Sequence, residues 1–150
     1  MKLESINFVP RLLGYLGLLP FIAPTIFLFI DSHHTALLIN VLVSYGAVIL
    51  SFLGALYWAF AMVVKDLTVK HRNIMLVWSV IPSLLACVSM LIPAFYGLLG
   101  LSIFFVFVFL IDSRLSQLAH LPAWYLTMRL RLTVVVTFCL IIASLWLSMN

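Results

Sequence analysis

"SYGAVILSFLGALYWAF", Ser44 to Phe60, runs without a charge and alternates very small residues with very large ones. At about 100° per residue a helix gathers Ser44, Ala47, Ser51, Gly54 and Ala55 on one side, with Tyr45, Ile49, Phe52, Leu56 and Phe60 on the other. The helix is amphipathic by size rather than polarity. Lipid tails are as apolar as leucine, so helices in a bilayer associate through close packing at small residues and through interhelical hydrogen bonds. The thin side is therefore expected to face protein, with its serines bonding across the contact, while the thick side faces lipid or a looser cavity. The partner is another span of the same chain or a second protein.

Working outward, the whole chain of 150 residues is 66% hydrophobic and 8% charged, a composition that fits an all-α integral membrane protein and not a soluble domain. Five spans are expected, at about 12–30, 37–64, 74–92, 95–111 and 132–148, each long enough to cross a hydrocarbon core of roughly 30 Å as a helix. They form a single helical membrane domain over residues 1–150. Pro20 and Pro24 predict a kink in the first span and Pro82 one in the third, and "IPAFYG" between spans three and four predicts a hairpin. No internal repeat is visible.

The eight Lys and Arg residues fall in alternate segments: Lys2 and Arg11, then Lys65, Lys70 and Arg72, then Arg114, Arg129 and Arg131. Positively charged loops are retained in the cytoplasm, so the N-terminus is expected inside and the C-terminus outside. The net positive charge then belongs to one membrane face and gives no reason to expect nucleic acid as a partner.

An intramembrane charge usually marks an ion path, and none stands in the middle of an expected span, which counts against a proton-coupled pump. "DSHH" at Asp31 to His34 reads as a solvated turn, Cys87 and Cys139 as packing residues, and no metal site or cofactor is expected. No catalytic triad, phosphate loop or nucleotide fingerprint occurs, so the reading is non-enzymatic. Between spans four and five, Leu115, Leu118 and Ala119 share one side of a short helix expected to lie in the interface before Pro122 turns the chain. Tyr57 and Trp58, near the basic end of the second span, and Trp124, Tyr125, Arg129 and Arg131, before the fifth, are expected at similar depth. Rings there would hold a lipid or isoprenoid-quinone tail while the arginines hold an anionic headgroup.

Three stretches, "LGYLGLLPF" (Leu13 to Phe21), "YGAVILSFLGALYWAF" (Tyr45 to Phe60) and "PAWYLTMRLRLT" (Pro122 to Thr133), together resemble a family catalogued only as a domain of unknown function, which includes the mitochondrial inner-membrane protein transmembrane protein sixty-nine. The resemblance covers most of the chain. It implies a small polytopic protein of bacterial or mitochondrial inner membranes and brings no activity or catalytic residue with it. Where family members tend to carry His-Trp-Gly, this chain has Tyr57, Trp58 and Ala59. The function expected is that of an accessory, assembly or scaffold component of the bacterial inner membrane, packing with a membrane-protein partner or a second copy and holding lipid or quinone. The alternative is a carrier or channel for a small neutral or amphipathic molecule.

Overall fold

Long apolar runs without water to compete for the backbone leave the helix as the only way to satisfy every N–H and C=O, and the described residues are helical almost throughout. The computed structural model describes residues 2–30, 33–64, 67–118 and 123–149, with backbone alone for residues 2–7, 115–118 and 123. The helices are α1 (Lys2–Leu16), α2 (Leu19–Ile30), α3 (Thr35–Val63), α4 (Val69–Leu91), α5 (Ala94–Leu118) and α6 (Ala123–Met149). Five stretches are long and apolar enough to cross a membrane: Phe8–Ile30, Thr35–Val63, Val69–Leu91, Ala94–Arg114 and Trp124–Met149. The protein is an all-helical, multi-pass membrane protein.

Two spans depart from expectation. The first is two helices, not one kinked helix, because Pro20 has no N–H to offer the carbonyl one turn back. Around the break the chain tightens into i−3 bonds, Leu18 N–H to the Tyr15 carbonyl and Phe21 N–H to the Leu18 carbonyl, both 3.0 Å. The fifth span begins at Trp124, well before residue 132, and so carries Arg129 and Arg131 within its helix. Residues 115–118 prolong α5 instead of opening a separate interfacial helix. The side chains of Leu115 and Leu118, the residues Ala119 to Pro122, and Asp31, Ser32, Lys65 and Asp66 lie outside the described residues.

Helices α2, α3, α4, α5 and α6 each pack on the next, α6 returns to α2 to close the ring, and α3 also crosses to α5 through the middle. α1 rests chiefly on α6. The centre is filled by Phe21, Leu42, Leu50, Leu98, Leu101, Phe105 and Leu140, all sealed from the surroundings. The outside is equally apolar, with Phe29, Phe52, Leu91 and Phe138 more than half exposed, as a surface that meets lipid should be.

Glycine sets two of the crossings. A Cβ on Gly54 would stand 2.5 Å from the backbone oxygen of Ser79 in α4 and 3.3 Å from the Pro82 ring. A Cβ on Gly97 would stand 2.5 Å from the backbone oxygen of Ser89, on the other side of the α4–α5 hairpin. The buried serines of α4, α5 and α6 bond within their own helices. Ser79, Ser89, Ser102 and Ser144 return their hydroxyls to carbonyls three or four residues back, at 2.7, 2.9, 2.7 and 2.8 Å. In lipid a hydroxyl needs an acceptor at once, and its own helix offers the nearest one.

Candidate functional site

The break between α1 and α2 leaves the Gly17 carbonyl short of a helical donor, and the Tyr45 hydroxyl of α3 donates to it at 3.2 Å. Phe21 meets Tyr45 edge-on at 5.0 Å and Phe105 at 6.1 Å, which ties the start of α2 to α3 and α5. α1 leans outward from this joint onto α6, where Gly14 faces Met128 and Leu132.

At the same end of the bundle, Asp112 of α5 and Arg129 of α6 form a buried ion pair. Arg129 Nε and Nη2 both donate to Asp112 Oδ2, at 3.0 and 2.8 Å, and the side chains are 6% and 4% exposed respectively. Tyr125, one turn before Arg129, lies against both charges. A lone charge inside a span is costly, whereas two opposite charges with charge-assisted hydrogen bonds present a site of zero net charge.

Between the leaning α1, the start of α2, α3, α5 and α6 is a cavity of about 360 Å³. Its walls are apolar, including Leu13, Phe21, Phe52, Leu56 and Val136, and Tyr125, Arg129 and Thr133 bring polar groups to it. Thr133 is 4% exposed and its Oγ1 has no hydrogen-bond partner. Thr25, Ser102 and Ser144 give their hydroxyls to carbonyls, whereas Thr133 and, one turn on, Thr137 do not; of these two Thr133 is the one that lines the cavity. Leu13 and Phe52, both largely exposed, mark a mouth toward lipid between α1 and α3. The chemistry available is capture of a molecule with an apolar body and one or two neutral hydrogen-bonding groups.

The structure divides the expected binding residues. Tyr125 and Arg129 line the cavity. Tyr57 does not join them: it is 4% exposed and packs with Ala61 and Met75 on the α4 side, its ring edge-on to Phe60 at 6.2 Å. Trp58 is exposed to the lipid side, and Phe52 and Leu56 of α3 take the positions expected of these rings. Trp124 stands under the Arg11 guanidinium at 5.3 Å and meets Tyr125 edge-on at 6.4 Å, so it clamps α1 to α6. Arg131 is exposed, with Nη1 3.5 Å from the Tyr15 hydroxyl. Arg129 is not free to grip an anionic headgroup, because Asp112 already neutralises it.

On α3, Ala47 and Gly54 of the expected packing set are buried, Ser51 is half-buried, and Ser44 and Ala55 are exposed. The buried stripe also takes in Leu42, Gly46, Leu50, Leu53 and Tyr57. Helix α3 has neighbours on several sides, so a single thin face cannot describe its contacts. The sequence reading missed Asp112 and Thr133. Asp112 had a signal: a carboxylate directly after one expected span, opposite an arginine shortly before the next.

The profile described as Protein of unknown function (DUF3429) matches residues 6–145. Transmembrane protein 69 of Xenopus tropicalis is 31% identical over 135 residues, covering 86% of this chain and 51% of that protein, so the chain spans about half the length of this curated relative. No solved structure matches.

Proposed function

This chain belongs to the family described as Protein of unknown function (DUF3429), and from that premise we propose that it is a non-enzymatic membrane component that holds a neutral amphipathic molecule of the isoprenoid-quinone class. The observation that carries the reading is the unpartnered Thr133 hydroxyl in an apolar cavity whose one arginine is neutralised by Asp112. A quinone ring offers carbonyl acceptors to Thr133 and Tyr125 and brings no charge that would compete with Asp112 for Arg129. At about 360 Å³ the space lies near the lower end of ligand pockets, roughly 300–1,000 Å³, which suits a ring and the start of a tail better than a whole phospholipid. The tail leaves by the mouth at Leu13 and Phe52.

Two further features support an accessory role. The cavity lies under a helix that rests chiefly on α6, and Ser44 and Ala55 remain on the outer surface of α3 where a partner helix can approach closely. The membrane is taken to be the bacterial inner membrane, with the basic end of the bundle in the cytoplasm. Single cysteines at positions 33 and 70, in a background lacking Cys87 and Cys139, are expected to label from outside and from inside respectively; the reverse pattern would overturn the orientation.

The ligand reading is tested by extracting protein purified in mild detergent for quinone, and by titrating it with a short-tailed benzoquinone while following tryptophan quenching. Thr133→Val keeps the shape and removes the hydroxyl. It is expected to weaken binding by roughly 2- to 12-fold, the worth of one hydrogen bond. Quinone absent from the extract together with quenching that never saturates would defeat the proposal, and so would saturable binding that Thr133→Val leaves unchanged.

A further inference from the structure

Helices α4 and α5 are in contact at their hairpin, where Gly97 lies on the Ser89 carbonyl, and separate toward the opposite end. The wedge between them opens into a groove of about 870 Å³ at the basic face. Along its depth lie Val77, Trp78 and Ile81 of α4 and Ile111 of α5, while Lys70 and Arg114 stand at its mouth with Asn73 between hydrophobic neighbours. Among the described residues, none that lines the groove is acidic. Asp112, the carboxylate next in sequence, is turned away to Arg129.

We propose that this groove is a binding site for one anionic phospholipid of the surrounding leaflet, with an acyl chain along Val77, Trp78, Ile81 and Ile111 and the phosphate between Lys70 and Arg114. Two independent features select that occupant. The first is charge: both cations are exposed at the mouth, and among the described residues neither meets a carboxylate, so a phosphate supplies what the site lacks. The second is the apolar bed beneath the cations: Val77, Trp78, Ile81 and Ile111 offer an acyl chain a surface to lie on, which a free phosphate would leave empty. Neither feature draws on the Thr133 cavity, which lies between other helices. The anionic headgroup expected at Arg129 thus finds its charge at Lys70 and Arg114.

The test offers the purified protein equal amounts of phosphatidylglycerol and phosphatidylcholine with identical acyl chains and counts bound lipids by native mass spectrometry. A cation near an anionic leaflet contributes a factor of roughly 5, so the wild type is expected to favour phosphatidylglycerol by about 10- to 30-fold. Lys70→Gln with Arg114→Gln should bring the ratio close to one, while Arg131→Gln, a basic residue exposed elsewhere at the same end, should leave it. Equal retention of the two lipids by the wild type would overturn the proposal. So would a preference that survives the double variant or falls as far in Arg131→Gln. Quinone recovered from the double variant reports on the cavity separately, so failure of one site is distinguishable from failure of the other.

Discussion

Arg129→Ala is expected to be among the most damaging single changes in the protein. The substitution leaves the Asp112 carboxylate, 4% exposed, without its two donors in a region that excludes water. Removing one member of a buried ion pair costs about 3–5 kcal/mol, because the surviving charge has lost its compensation. Asp112→Leu should cost a similar amount by stranding the guanidinium. The double variant Asp112→Leu with Arg129→Met is expected to regain most of the loss, since apolar replacements of both partners strand nothing. Arg129→Lys falls between, keeping the charge and losing the fork that reaches one oxygen through two nitrogens. Unfolding in mixed micelles as the denaturing detergent is raised measures all four. Single variants within about 1 kcal/mol of the wild type would mean that water or headgroups reach the pair and solvate it.

Gly54→Ala and Gly97→Ala carry the second large effect. At each position the added carbon would stand 2.5 Å from a carbonyl oxygen of α4, an atom that moves only if its helix moves. The expected cost is roughly 1–3 kcal/mol, as for overpacking in other close-packed interiors. Gly100→Ala is the matched control: its nearest neighbours would be the Ser89 hydroxyl at 3.5 Å and the Phe104 ring at 3.6 Å, ordinary contacts. That change should be neutral or gain up to about 1 kcal/mol from helix propensity. The same unfolding measurement separates the cases, and equal tolerance at positions 54, 97 and 100 would show that the helices are not in close contact at these crossings.

The spans were legible because the bilayer imposes length and hydrophobicity on each segment separately, without regard to its neighbours. Contacts between segments are another matter. Gly54 could be read as a packing residue from its size alone, whereas Tyr57, three residues on, was assigned to a ligand because a large ring looks like a lining residue until a neighbour such as Met75 covers it. Arg129 was read as a headgroup anchor at the interface, and Asp112 was passed over. Each is expensive in a span alone, and only their meeting makes the early start of α6 tolerable. Thr133 gave no sign at all, for a threonine among valines reads as one more apolar position until its hydroxyl is seen to lack a partner.

The contact between α1 and α6 sets an order of assembly. α1 is made well before α6, yet it takes its place chiefly on α6, through Gly14 against Met128 and Arg11 over Trp124. Synthesis runs at roughly 5–20 residues per second, so the first helix spends several seconds in the bilayer before its seat exists. During that interval Thr133, Tyr125 and Arg129 have not been made, and the wall that they form cannot hold anything. Any ligand of the cavity would therefore enter only after α6 has been made, and a chain stopped before α6 would leave the cavity unformed.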